Sequence, residues 1–208
     1  MKNFASSAGH ALRLLFEGNA RFLKRLDAGN GSNIANTLRP ADGDPSPFCI
    51  VITCSDSRVP PELIFDQSIG RLFVIRLAGN YASTSTIASI ERAVLKFKIP
   101  LIVVLGHSCC GAIQAALDKE LSSSIQETVN KKPGIENNDL SVNYAAQLNI
   151  HNSIQSILES PVLHEAQKKN EVGIIGAFHN QNSGEVEFIS SRTEKSLDER
   201  YAYATEQA

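Results

Sequence analysis

Leu101-Ile102-Val103-Val104-Leu105-Gly106 runs directly into His107-Ser108-Cys109-Cys110-Gly111. A β-branched, uninterrupted apolar run of this length reads as a strand buried on both faces, the habit of a parallel sheet. A second copy of the pattern lies upstream. Phe48-Cys49-Ile50-Val51-Ile52-Thr53 leads into Cys54-Ser55-Asp56-Ser57-Arg58. Open parallel sheets collect ligands at the carboxyl ends of their strands. Two strand ends can therefore bring two thiols and an imidazole to one point.

Cys54, His107 and Cys110 form a Cys2His set with one position left open. That is the inventory of a catalytic zinc site, whereas structural sites close with four protein ligands. His107 and Cys110 are three apart, as in the short-range ligand pairs of zinc sites. A helix opening at Gly111 would further favour a Cys110 thiolate. The plainer alternative is that buried cysteines and a strand-end histidine are ordinary core residues. Asp56 and Arg58 stand two apart and are chemically complementary, since a guanidinium can hold a carboxylate through two parallel hydrogen bonds and keep it ionised. Taken alone, such a pair is equally a surface ion pair of little energetic consequence.

Outward from these runs, strands and helices alternate. Ser7 to Leu26 is an amphipathic helix pattern, with Leu12, Leu15, Phe16, Phe22 and Leu26 on one stripe and Arg13, Glu17, Arg21, Lys24 and Arg25 elsewhere. Asp27 to Pro47 is rich in Gly, Asn, Asp and Pro and reads as a loop. Val59-Pro60-Pro61-Glu62 starts a short helix. Leu72 to Ile75 is a strand, Ala78-Gly79-Asn80 a turn. Ile87, Ile90, Val94 and Phe97 mark a helix, and Gly111 to Leu117 another. Lys119 to Asn138 is a polar excursion, partly helical. Val142, Ala146, Ile150, Ile154 and Ile157 give a long helix. Val172 to Phe178 is a buried strand, and Asn182-Ser183-Gly184 turns into an edge strand at Glu185 to Ile189. The tail from Ser190 is polar. The fold class is α/β: a mostly parallel central sheet flanked by helices, with an antiparallel edge strand near the C-terminus.

With 208 residues, 42% hydrophobic and 20% charged, the chain suits one soluble domain, residues 1–208. A net charge of -2 recommends neither nucleic acid nor an anionic membrane as partner. No apolar run approaches the roughly 20 residues of a membrane span. The N-terminus lacks the apolar core of a secretory signal, and the four cysteines are not spaced as a disulfide framework, so the expectation is a cytoplasmic protein.

Three runs in order carry a resemblance. Cys54-Ser55-Asp56-Ser57-Arg58-Val59-Pro60-Pro61-Glu62, Phe73-Val74-Ile75-Arg76-Leu77-Ala78-Gly79-Asn80 and Gly106-His107-Ser108-Cys109-Cys110-Gly111-Ala112 resemble the signatures of the β-class carbonic anhydrases, and the likeness runs from about Leu14 to Ile189. The resemblance implies a lyase that reversibly hydrates carbon dioxide to bicarbonate and a proton through zinc-bound hydroxide. It implies one zinc per subunit on Cys54, His107 and Cys110, an Asp56–Arg58 dyad, and a pocket bordered by Gly79, Asn80 and Gly111. It makes Cys109 a packing residue. It also implies a homo-oligomer, a dimer or tetramer, with residues of about 1–30 as an arm on the partner subunit.

Two departures qualify this, the lesser being Leu77, where many members have asparagine and others an apolar residue. Many members carry a substrate-binding glutamine where this chain has Pro45, which keeps a carbonyl sulfide or carbon disulfide hydrolase open as an alternative. A non-catalytic zinc-stabilised oligomeric binding protein is a third reading. One subgroup binds bicarbonate through a tryptophan, an arginine and a tyrosine; the corresponding positions here are Val51, Arg76 and His179, so that form of inhibition is not expected.

Overall fold

The computed structural model describes residues 4–28, 46–119 and 139–189. Residues 29–45 of the expected loop, Pro45 among them, residues 120–138 of the excursion and the tail from Ser190 lie outside those residues. In chain order the elements are α1 (Phe4–Asp27), β1 (Cys49–Thr53), α2 (Pro61–Ile64), β2 (Leu72–Arg76), a 3-10 turn (Ala78–Asn80), α3 (Thr84–Phe97), β3 (Leu101–His107), α4 (Gly111–Leu117), α5 (Asp139–Leu158), α6 (Pro161–Lys168), β4 (Gly173–His179) and β5 (Val186–Ile189). The short helix α6 has no counterpart in the sequence reading. Ser160 caps it by accepting from the Leu163 amide, and Pro161 starts it.

The strands form one sheet in the order β2-β1-β3-β4-β5, parallel except for β4 with β5. The order explains the burial. β1 and β3 lie at the centre and every residue of both is buried, while the outer strand β2 is only partly so. The order also explains the site. From β1 the chain steps to β2 on one side, then returns past β1 to place β3 on the other. The crevice at such a reversal, beyond the carboxyl ends of the strands, is where open α/β sheets bind ligands. Cys54 follows β1 directly and His107 ends β3.

Helix α5 lies across β3 and β4. Ile150 fits a notch left by two glycines on neighbouring strands. A methyl group at Gly106 would come within 2.7 Å of Ile150, and one at Gly176 within 2.7 Å. Gly106 thus admits an isoleucine side chain rather than another backbone. At the far edge, Gly184 takes a left-handed φ of 79° in the turn that joins β4 to β5.

Helix α1 packs its inner face on its own chain, with Ala11 and Leu15 fully buried. Asn19 donates to the carbonyls of Ile64 at 3.1 Å and Gly184 at 3.0 Å, and accepts from the Val186 amide at 3.1 Å. Arg21 and Arg25 both reach Asp66, at 2.5 and 2.7 Å. Burial pushes the Asp66 carboxyl up, but Arg25 and Arg21 together hold it below its usual range. Gly18 lets the helix seat: a methyl there would lie 1.8 Å from the Phe65 carbonyl oxygen. Gly18→Ala should therefore destabilise the protein by about 3 kcal/mol, although alanine is the better helix former. Gly9, with nothing within 4 Å, is the control. Gly9→Ala should stabilise by roughly 0.5–1 kcal/mol. Urea midpoints of opposite sign for the two variants check the docking of α1.

Candidate metal centre

Cys54, His107 and Cys110 converge at the crevice, all three buried, with their donor atoms within 4.8 Å of one another. Each is placed by a rigid element. The β1–β2 ladder continues past the strands, with the Leu77 amide donating to Thr53 O and the Ser55 amide to Leu77 O, both at 3.1 Å. These bonds bracket Cys54. His107 is the last residue of a seven-residue register with β4 and pairs there with His179. Cys110 is the residue from which α4 starts.

The ring of His107 is oriented from behind. Its Nδ1 lies 2.9 Å from the Ser108 carbonyl, which can only accept, so Nδ1 carries the proton and Nε2 the lone pair. Nε2 is buried and, among the described residues, has no hydrogen-bond partner. A buried, unpartnered acceptor costs stability unless something fills it. The two sulfurs stand 3.9 Å apart. Tetrahedral zinc with Zn–S of about 2.3 Å needs an S–S edge of about 3.8 Å. The donor set fits a zinc ion on chemistry, tautomer and spacing. One of the two thiols is already polarised toward that state. The Cys110 thiol, with support from the Asp56 and Gly79 backbone, draws Cys54 down toward its thiolate against the effect of burial. Cys110, facing that thiolate and buried, is pushed up.

Beside the thiols, Asp56 and Arg58 form a bidentate pair. Arg58 Nε lies 2.9 Å from Oδ1 and Nη2 2.5 Å from Oδ2, and the Arg58 amide donates to Oδ1 at 2.9 Å. The guanidinium holds the Asp56 carboxyl well below the usual carboxylate range. Arg58 Nη2 also reaches the Cys109 carbonyl at 3.4 Å. Arg76, singled out from sequence only for an anion pocket, donates instead to the carbonyl of Cys54 at 3.1 Å and to that of Asp56. It fixes the loop that carries the ligand and the carboxylate.

The remaining candidates separate. Gly79 and Asn80 are buried in the 3-10 turn, with φ of 63° and 46°. Gly111 is exposed at the start of α4. Cys109 is not a packing residue: it is exposed and adopts a left-handed φ of 53°. Cys49 is core, and burial pushes its thiol up. His179 is buried, and desolvation lowers its imidazole to about 4, so it is neutral near pH 7. Val51 lies fully buried within β1. Asn149 and Ser153, which the sequence reading passes over, are fully buried behind the turn. Their signal is visible only in retrospect: polar side chains one turn apart beside an apolar helical stripe.

The family model for carbonic anhydrase matches residues 49–186, which hold all three donors and the Asp56–Arg58 pair. The chain belongs to the β-class carbonic anhydrase family. Carbonic anhydrase 2 of Mycobacterium tuberculosis is 42% identical over 107 residues, 51% of each chain. The carbonic anhydrase of Synechococcus elongatus is 31% identical over 176 residues, covering 74% of this chain and 64% of that one. The alignment spans about half the length of the mycobacterial relative. Among solved structures, one of two tetrameric β-carbonic anhydrases of Sordaria macrospora superposes with a TM-score of 0.65 at 26% identity, covering 85% of this chain and 95% of its own. The Coccomyxa β-carbonic anhydrase, solved with acetazolamide, gives 0.64 at 22% identity, with 92% and 96% covered, and shares the fold.

Proposed function

We propose that this protein is a zinc lyase that reversibly hydrates carbon dioxide to bicarbonate and a proton, with one zinc per subunit held by Cys54, His107 and Cys110. The observation that carries the reading is the unpartnered Nε2 of His107 facing two thiols beside an ionised Asp56–Arg58 pair. Zinc bound there would supply Lewis acidity that lowers the pKa of water, from 15.7 to roughly 7 in the most favourable sites.

The chain's own groups divide the remaining work. Cys54 and Cys110 give up their protons to become ligands, and Ser108 keeps His107 in the ligating tautomer. Asp56 is too acidic to keep a proton near neutral pH. Its role is to accept a hydrogen bond and so orient the attacking oxygen, while the proton released in hydration leaves to solvent. Arg58 fixes that carboxylate in one plane. Gly79, Asn80 and Gly111 border the space left for a small linear substrate.

The reading extends to assembly. Residues 1–208 act as one domain in a homo-oligomer whose N-terminal arm packs on a partner subunit. Support comes from the outer face of α1, where Phe16 is 64% and Leu26 45% exposed, and from a groove of about 590 Å³ between α1 and the β4–β5 hairpin. Among the described residues no helix is long and apolar enough to cross a membrane. Thiol ligands suit a reducing compartment, and the location proposed is cytoplasmic.

Stopped-flow hydration with zinc content measured on the same sample tests the reading. The expected result is zinc near one per subunit and a rate that rises from acidic to alkaline pH. Zinc-loaded protein that hydrolyses carbonyl sulfide but leaves carbon dioxide untouched would transfer the assignment to that substrate. Loaded protein inert toward both would leave only a binding role.

A further inference from the structure

The Ala78–Asn80 turn is held from behind by α5. Asn149 donates from Nδ2 to the Gly79 carbonyl, and Ser153 donates from Oγ to the Asn80 carbonyl at 3.3 Å. Ser153 Oγ also accepts from the Ala82 amide at 3.4 Å. The two side chains sit one helical turn apart, so a single rigid helix presents both. Both are fully buried, on a helix whose other buried positions include Val142, Ala145, Ala146, Leu148, Ile150 and Ile157. Among the described residues, Asn149 Oδ1 and Asn80 Nδ2 are buried without partners. Polar groups buried at that cost call for an explanation beyond packing.

The turn itself supplies one. Gly79 and Asn80 are consecutive left-handed residues, a conformation that persists only when its surroundings impose it. The turn follows Leu77, whose two ladder bonds bracket Cys54. Turn and ligand loop are thereby one hydrogen-bonded unit, anchored to α5 on one side and flanking Cys54 on the other. Groups outside the donor set that fix where a ligand sits change both metal affinity and the ligand's electronic environment.

We propose that Asn149 and Ser153 are positioning residues that clamp the Gly79–Asn80 turn beside the Cys54 loop and so set the place of that metal ligand from α5. The inference rests on the metal reading above. Cobalt(II) is the probe, because its thiolate charge-transfer band reports the energy of the sulfur lone pair. Asn149→Leu keeps the volume and removes the donor; Ser153→Ala removes only the hydroxyl.

With the clamp gone, the Cys54 thiolate is less firmly placed: the band should shift from its wild-type position, and Asn149→Leu should bind cobalt about 10-fold more weakly. Ser153→Ala should shift the band in the same direction by less. A folded Asn149→Leu with wild-type band and affinity overturns the proposal while leaving the metal assignment intact. If Asn149→Leu fails to fold, Ser153→Ala decides alone, a shifted band supporting the clamp and an unchanged one overturning it. A wild-type protein with no thiolate–cobalt band would sink the metal reading and this inference with it.

Discussion

Cys110→Ser should lose nearly all bound zinc, whereas Cys109→Ser, altered at the adjacent residue, should keep it. Cys110 is 1% exposed and its sulfur faces that of Cys54 across 3.9 Å. Cys109 is exposed, with its backbone turned into the left-handed region. A serine hydroxyl at 110 does not ionise in the range where a thiol does, so the site loses one of its two anionic ligands. After dialysis against a mild chelator, Cys110→Ser should retain no more than about a tenth of the wild-type zinc. Arg58 meets Cys109 through its backbone carbonyl, which serine leaves in place. Elemental analysis of both variants settles the ligand; the reverse pattern would refute the assignment.

Arg58→Ala should cut carbon dioxide hydration by about 100-fold and leave zinc content unchanged. Arg58 contributes three hydrogen bonds from its side chain to the Asp56 carboxylate and none to a donor atom of the metal site. Without them the carboxylate is free to rotate and its acidity relaxes toward the ordinary range. Arg58→Lys should recover little, because an ammonium cannot reproduce the planar two-point contact. The pair's contribution to fold stability is small, since more than half of the Arg58 side chain is in solvent. A large loss of activity with an unchanged denaturation midpoint is therefore the expected signature. Near-normal rates in Arg58→Ala would show the pair to be a surface feature only.

What could be read from the sequence follows physical scale. Val103 and Val104 announce a strand because burial on both faces demands an unbroken apolar run, and Cys54, His107 and Cys110 announce a metal site because few other pairings of residue types do. The strand order is not written in any such run. That β3 lies beside β1, on the side away from β2, depends on crossovers whose direction periodicity does not encode. Helix α6 escapes because only Leu163 and Ala166 of its eight residues are buried, too few to reveal a period. Cys109 is misjudged for a related reason. A turn that must deliver Cys110 inward puts its neighbour outside, and residue type does not disclose backbone sign. The clamp from Asn149 and Ser153 is hidden because its logic is tertiary. An asparagine in a helix is usually a solvated one.

The notch that receives Ile150 has a consequence for how this chain can diverge. Gly106 and Gly176 are two missing side chains, and one isoleucine occupies the space of both. None of the three can drift by itself toward a larger residue. Homologues should therefore keep them as a set or exchange them as a set: a bigger residue on either strand accompanied by a smaller one on the helix. Because the notch lies one residue before His107, such compensated exchanges would be filtered twice, once for packing and once for where they leave the imidazole.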